Sequence, residues 1–571
     1  MISSDFPDYR ETTQTIERRL LVLNVDTKEV RNVWPRDLIN GFEYTPQFQN
    51  KIVDMLPDDE HHILMALDGS MRNSSKLYKV SLKKVKAKAV QRSKQYVQDW
   101  MVDRQKNVRI LTHLKDTTYQ ILHRFTDDQD WKPLWEFEAF SDKEVKPLGF
   151  DKDSNTLYIQ ALHNNFDAIF KVDLGNLKLE KKLVAYKDGY DMNGDLIYSQ
   201  KRDKVIGIKS NHGQGNTYWD PSFKKLQAGI NQAMPDTFNI LYSVSNDETR
   251  YLNYSYSDIH AGTYYLIDRK KGTIKAIARE YSKLKSSLMS EKQPISYQAR
   301  DGLTIEGYLT LPVGHKQEHK QEHKQEHKQG QKFPTVVFPH GGPISYDGKG
   351  FDYWTQFLAN RGYAILQMNF RGSSGYGHDF MKAGLKKWGL AMQDDVEDGT
   401  KWLIKKGYVD SDNICILGAG YGGYAALMGL VKTPDLYQCA ISFAGVMDQD
   451  LLVRNSLRYR HSEIVKEQIG SDADELKARS PLYNVEKITK PVLLIHGDQD
   501  RRVHVWHSRN MHDEMEKQEK DSTYLELKNG SHHLSINDNR LATFAAIEVF
   551  LSTHLKPHLK SINTDDIVLN E

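Results

Sequence analysis

Between Pro57 and about Lys275 one unit repeats itself, and its period constrains this half of the chain more than any other feature. The copies open PDDEHHILMALDG from Pro57, DRQKNVRILTHLKD from Asp103, DKDSNTLYIQALHN from Asp151, SQKRDKVIGIKSNH from Ser199 and SNDETRYLNYSYSD from Ser245. The intervals between starts are 46, 48, 48 and 46 residues. Each copy begins with a polar turn, enters a short apolar strand, turns again and closes on a second strand, as in KLYKVSL (Lys76 to Leu82), AIFKVDL (Ala168 to Leu174) and TYYLIDR (Thr263 to Arg269). Four short strands fill about 45 residues, the content of one propeller blade. A β-sandwich with coincidental spacing is the competing fold.

Two stretches depart from the pattern. RLLVLNVDTKEV (Arg19 to Val30) matches only the second half of a unit, so the chain is expected to start inside a blade. PSFKKLQAGINQAMPD (Pro221 to Asp236) is expected to be a short helix with proline in its first turn.

After about Ser286 the period changes, which places a domain boundary at 285/286: a propeller over 1–285 and a second domain over 286–571. ISYQARDGLTIEGYLTLP (Ile295 to Pro312) is a hairpin around Arg300-Asp301-Gly302. Five continuous apolar runs follow: TVVFP (Thr335 to Pro339), AILQMNF (Ala364 to Phe370), ICILGAG (Ile414 to Gly420), CAISFAG (Cys439 to Gly445) and PVLLIHG (Pro491 to Gly497). Helical stretches separate them, which predicts a doubly wound, mostly parallel sheet covered on both faces. Its working residues belong just past the strand C-termini.

The bulk properties narrow the function classes. A chain of 571 residues is too long for one core. A formal charge of +2 argues against nucleic acid as a partner. No apolar run reaches the ~18 residues of a membrane span. The polar start MISSDFPDYRETTQTIERR carries no signal-peptide core, so the expected location is the cytoplasm, or the periplasm if the N-terminus is truncated. Cys415 and Cys439 begin buried strands and read as small hydrophobic residues that fit a reduced compartment. The tract HKQEHKQEHKQEHKQ (315–329) sets His315, His319, His323 and His327 four apart. That is metal-ligand spacing in form, but the tract joins two strands and reads as a low-complexity surface loop. No metal or other cofactor is expected.

The chemistry concentrates at three strand ends. Gly418-Ala419-Gly420-Tyr421-Gly422 has the small-residue frame of a nucleophile elbow, in which a strand turns sharply into a helix and lifts the middle residue above the sheet. That middle residue is Gly420, which has no hydroxyl. Asp500 follows the strand run IHG, and His532 lies in LKNGSHHL, with His533 as its competitor. Nucleophile, acid, histidine is the α/β-hydrolase order. Ser411 stands at the far end of the elbow strand, and Ser373 and Ser374 belong to another loop, so none replaces the missing serine.

With HGGP (His340 to Pro343), NFRGSSGYG (Asn369 to Gly377), KKWG followed by DD (Lys386 to Asp395), GAGYGGYAAL (Gly418 to Leu427) and HGDQDRRV (His496 to Val503), the chain resembles the prolyl oligopeptidase family. The likeness is greatest to its acylaminoacyl-peptidase and dipeptidyl-peptidase-like branch, and it runs from Pro294 to Lys556. It implies an α/β-hydrolase domain beneath a propeller of seven blades, the first incomplete here, and an activity on short peptides. It puts the acid on Asp500, the base on His532, and the oxyanion hole on the backbone N–H groups of Gly342 and Tyr421. His340 stands where some branches carry a tyrosine donor. Arg371 is a loop organiser, with a substrate carboxylate as its alternative ligand, and Asp394 and Asp395 are structural. The departure is Gly420 in the serine position.

Three functions fit. The chain binds short peptides without hydrolysing them; or it is a disabled variant of an active exopeptidase or oligopeptidase; or the propeller is an interaction module and the hydrolase domain its scaffold. Acyl transfer needs a side-chain nucleophile, so hydrolysis is not expected. Free or acylated N-termini, and a homo-oligomer or a monomer, are equally compatible with the sequence.

Overall fold

The computed structural model describes residues 2–8, 15–43, 45–46, 48–68, 74–176, 178–210, 215–315, 332–457, 459 and 461–555. His319, His323 and His327 of the HKQE tract lie outside them. Among the described residues the N-terminal half forms six separate antiparallel-type sheets, the blades of a β-propeller. Each repeat opening supplies the second strand of one sheet: His62–Asp68, Val108–Lys115, Thr156–His163, Lys204–Ser210 and Arg250–Tyr256. The family resemblance implied seven blades. There are six because five openings and the chain before Pro57 supply one sheet each.

The first sheet is fuller than its sequence signal. Ile2–Asp8 pairs antiparallel with Thr15–Leu23 along its whole length, Val30–Asn32 continues the sheet, and Phe48–Gln49 joins in parallel at Arg18 and Arg19. Pro221–Ala233 is the expected helix, and Asp220 caps it by accepting from the Ser222 and Phe223 N–H groups.

The polar turns that begin each repeat have a structural reason. Asp103, 1% exposed, accepts from the Asn107 N–H at 2.9 Å and from Arg109 Nη1 at 3.0 Å, and Arg109 is itself buried. The pair fixes the turn before Val108–Lys115 and satisfies two charges in the sheet interior.

The C-terminal domain is one eight-stranded sheet. Its strands are β1 (Lys292–Gln298), β2 (Thr304–Thr310), β3 (Phe333–Val337), β4 (Ala364–Asn369), β5 (Val409–Ala419), β6 (Cys439–Phe443), β7 (Val492–Gly497) and β8 (Ser522–Leu527), in spatial order β1-β2-β4-β3-β5-β6-β7-β8. β1, β2 and β4 pair antiparallel, and from β4 to β8 every pair is parallel. Helices α1 (Tyr353–Asn360), α2 (Ala391–Lys405), α3 (Tyr421–Lys432), α4 (Trp506–Lys517) and α5 (Asn537–His554) cover it.

Side-chain alternation divides the core between the two faces. Val337, Leu366, Ile414, Ile416, Val492 and Leu494 pack with Met392 and Val396 of α2 and Met511 of α4. Their neighbours Val336, Ile365, Cys415, Leu417, Leu493 and Ile495 pack with Leu358 of α1 and Ile547 and Phe550 of α5. Burial on both faces is why these strands read as unbroken apolar runs. Cys415 and Cys439 are register partners with Cα atoms 4.8 Å apart and their sulfurs joined as a disulfide, so they are not the free thiols the sequence suggested.

The chain separates into two compact units. One comprises Met1–Tyr186, Arg202–Val205 and Tyr459–Ile464; the other holds Lys187–Lys201, Ile206–Arg458 and Val465–Glu571. The change of pattern at 285/286 lies inside the second unit, which includes the whole of the last blade. Among the described residues no helix is long and apolar enough to cross a membrane.

Removing one member of a buried ion pair strands the other charge. Asp103→Ala is expected to destabilise the chain by roughly 3–5 kcal/mol, read from the shift of a urea unfolding midpoint, whereas the exposed Lys152→Ala costs less than about 1 kcal/mol.

Candidate active site

The bend after β5 is built from glycines. The buried run Ile414-Cys415-Ile416-Leu417 carries β5 through the sheet to Ala419, and α3 begins at Tyr421. Gly420 between them has φ 58° and ψ −116°, a sparsely populated conformation in which an L side chain is strained. Its N–H donates to the Phe443 carbonyl at 2.9 Å, and its carbonyl accepts the first helical bond, from Tyr424 N–H, at 3.1 Å.

The flanking glycines are required by crowding. A Cβ on Gly418 would run into the Gly422 backbone, and one on Gly422 into the Pro339 carbonyl. A Cβ on Gly341 would lie 2.9 Å from the Ala419 carbonyl oxygen, so the HGGP turn also packs backbone to backbone on the end of β5. Gly420 is different. A Cβ there would meet only the His532 imidazole, at 3.3 Å from Nε2 and 3.6 Å from Cε1. A side chain at the apex would thus point at a histidine and meet no backbone, and the imidazole would have to give by a few tenths of an ångström to admit it.

That histidine is held from behind. His532 Nδ1 lies 2.6 Å from Asp500 Oδ2 and donates to it, which leaves Nε2 as the acceptor facing Gly420. Asp500 is 3% exposed. Its Oδ1 accepts the N–H groups of Arg502 at 2.8 Å and Val503 at 3.0 Å, and its Oδ2 also faces His496 Nε2 at 3.3 Å. Burial pushes the carboxyl up, but the hydrogen bonds from His496 and His532 outweigh it and hold the group well below the usual carboxylate range. His496 is fixed in turn by Ser508 Oγ at 2.7 Å and the Val503 carbonyl at 2.8 Å.

Gly420, Asp500 and His532 thus come together from the ends of β5, β7 and the segment after β8. It is His532, not His533, whose ring reaches Asp500. The Tyr421 N–H sits at the first position of α3, where no carbonyl one turn earlier can take it. The Tyr421 ring is buried against Phe370 and Trp388, with centroids 5.1 and 4.6 Å apart, which fixes the start of the helix. Gly342 follows β3 in the turn that packs on Ala419, with φ 125°.

Ser373 offers no substitute nucleophile: its hydroxyl is buried between the Phe370 carbonyl at 2.6 Å and His340 Nε2 at 2.8 Å. Burial lowers His340 to about 4, so this ring is neutral and stacks on Phe370.

Arg371 needs correction as a substrate ligand. Its Nε and Nη2 contact Asp395 at 2.8 and 2.7 Å, and its Nη1 and Nη2 contact Asp301 at 2.7 and 3.0 Å. With its guanidinium committed to two carboxylates it clasps the β1–β2 hairpin to α2. Asp395 is fully buried in that clasp, and Asp394 pairs with Arg300 and Lys432. His496 is the residue that sequence reasoning missed; its signal was the four-residue spacing to Asp500 at the end of β7.

An α/β-hydrolase domain and an N-terminal propeller in one chain, with an acid and an imidazole converging on an elbow, are the parts of a hydrolase-fold peptidase. Residues 349–558 match the prolyl oligopeptidase family. It is 29% identical over 432 residues to dipeptidyl aminopeptidase BIII of Pseudoxanthomonas mexicana, covering 74% of this chain and 61% of that protein. It is 26% identical over 455 residues to dipeptidyl peptidase family member 6 of Caenorhabditis elegans, covering 75% and 60%. The matched part thus spans about three fifths of these relatives. Among solved structures, a puromycin-hydrolysing peptidase of Mycobacterium tuberculosis superposes with a TM-score of 0.73 at 15% identity, over 98% of this chain and 87% of the other.

Two outcomes follow from the crowding and the charges. Gly422→Ala is expected to cost roughly 1–3 kcal/mol by overpacking, measured by chemical denaturation. Asp500→Asn is expected to cost about 1.5–3 kcal/mol at pH 7. A carboxyl whose folded value lies below its unfolded value of about 3.9 adds stability that is complete above that value and lost as pH falls through the folded one. Denaturation across a pH series should therefore show the gap between Asp500→Asn and the parent constant at neutral pH and narrowing below about pH 4.

Proposed function

We propose that this chain is a peptide-binding member of the prolyl oligopeptidase family that does not hydrolyse what it binds, because Gly420 stands where an attacking hydroxyl is needed. The observation that supports this reading is the missing side chain at the Gly420 apex, where a Cβ would lie 3.3 Å from His532 Nε2. Asp500 would hold the imidazole in its working tautomer, and the Gly342 and Tyr421 N–H groups would receive the oxygen of a bound carbonyl. With no side-chain oxygen at residue 420, no acyl-enzyme forms. Short peptides are the proposed ligands, in keeping with the dipeptidyl peptidase relatives.

Loss of the nucleophile in a triad of this type lowers turnover by about 10⁶. A fluorophosphonate probe is expected to leave the chain unlabelled and to label Gly420→Ser. The same variant should hydrolyse aminoacyl or acyl-aminoacyl anilides, and His532→Ala in that background should remove the activity. Strain at a left-handed backbone predicts that Gly420→Ser is also less stable, by about 1–3 kcal/mol. Strong labelling of the unmodified chain would refute the inactive reading. A Gly420→Ser variant that folds but neither labels nor turns over would refute the assignment of the site.

A further inference from the structure

The second compact unit contains a cavity of about 730 Å³ that none of Gly420, Asp500 and His532 lines. Its walls are largely aromatic, with Tyr190, Tyr308, Tyr346, Phe351 and Tyr376 among them. Burial pushes the phenols of Tyr308, Tyr346 and Tyr376 up, so they remain neutral O–H groups. The volume suits a ligand of a few residues or one substituted ring.

Lys292 makes this more than an apolar hollow. It is 3% exposed, and its side chain opens on the cavity. The Nζ donates to the Gly348 carbonyl at 3.2 Å and lies 6.0 Å from the centre of the Tyr308 ring. Among the described residues that carbonyl is the one hydrogen-bond acceptor the ammonium has, although an ammonium carries three N–H donors. A buried cation with unspent donors is costly to keep unless something answers it.

Neither carboxyl of the lining forms an ion pair with it. Asp352 caps α1, accepting from the Trp354 N–H at 3.0 Å and the Thr355 hydroxyl at 2.5 Å. Asp347 makes no ion pair with Lys292, and its Oδ2 is buried without a hydrogen-bond partner. Burial pushes this carboxyl up to about 7 against the pull of Lys292. Lys187 and Lys349 also line the cavity, both of them exposed. An anionic group is the complement of Lys292, the one buried lysine of the lining, and a single buried ammonium beside aromatic walls matches the single charge of a carboxylate.

We propose that this cavity is a second binding site, one that takes the carboxylate of a small aromatic or peptidic acid on Lys292 Nζ and its apolar body against Tyr308, Tyr346 and Phe351. The site does not depend on the reading of the elbow. No covalent step is involved.

Isothermal titration of the full chain with N-acetyl-L-phenylalanine and with its carboxamide tests the assignment. The acid is expected to bind at least tenfold more tightly than the amide. Lys292→Gln keeps a donor for the Gly348 carbonyl and should abolish that difference, whereas His532→Ala should preserve it. Equal affinity of acid and amide, absence of binding by the acid, or discrimination that survives Lys292→Gln would each overturn the proposal. Displacement of the acid by equimolar inorganic phosphate would overturn the carboxylate assignment. A crystal of the unmodified chain grown with N-acetyl-4-bromophenylalanine provides a readout that no variant's folding can confound. Bromine in the aromatic cavity with the carboxylate on Lys292 is expected, and bromine elsewhere would refute it.

Discussion

Three stretches of backbone meet at the end of β5, and almost everything at the candidate site depends on how close they come. Gly418 crosses Gly422, Gly422 touches the Pro339 carbonyl, and Gly341 rests on Ala419. A side chain at Gly418 or Gly422 would force the strand and helix apart. Because the contact is made by backbone alone, α3 starts directly against the neighbouring strand end. Gly420 stands outside that jam. Its conformation favours glycine, and a Cβ there would meet no backbone, only the His532 ring, which would have to give by a few tenths of an ångström.

The second constraint is charge kept inside. Asp500 lies in an apolar setting and is ionised because four donors reach it: two backbone N–H groups and the rings of His496 and His532. Asp395 is treated differently. It is equally buried, and burial pushes its carboxyl up, with Arg371 opposing. The first arrangement aims an imidazole at the elbow. The second fastens the β1–β2 hairpin to α2 and fixes the loop after β4 on which Arg371 sits.

Much of the fold was legible because it is periodic. Five repeat openings mark the second strand of five sheets, and apolar runs mark five parallel strands that are buried on both faces. β8 escaped notice for the complementary reason. Ser522–Leu527 lies at the sheet edge with only Leu527 fully buried, so it never forms a continuous apolar run. The first blade was also underread, since its pairing partner Ile2–Asp8 is a short polar strand with no repeat signal. At the site, the order of Gly420, Asp500 and His532 could be read from local motifs. The role of His496 was signalled only by its four-residue spacing to Asp500, and it is the turn after β7, closed by the Asp500 N–H on the Gly497 carbonyl, that brings the two together.

The amino-acid sequence by itself determined the two architectures, the glycine frame of the elbow and the absence of a side-chain oxygen at residue 420, since each is a matter of residue type and spacing along the chain. Only the tertiary structure decided which of two adjacent histidines faces that glycine, where the Arg371 guanidinium spends its donors, and that Lys292 is buried beside an aromatic cavity. Those outcomes are set by distances between segments tens to hundreds of residues apart, which local periodicity does not encode.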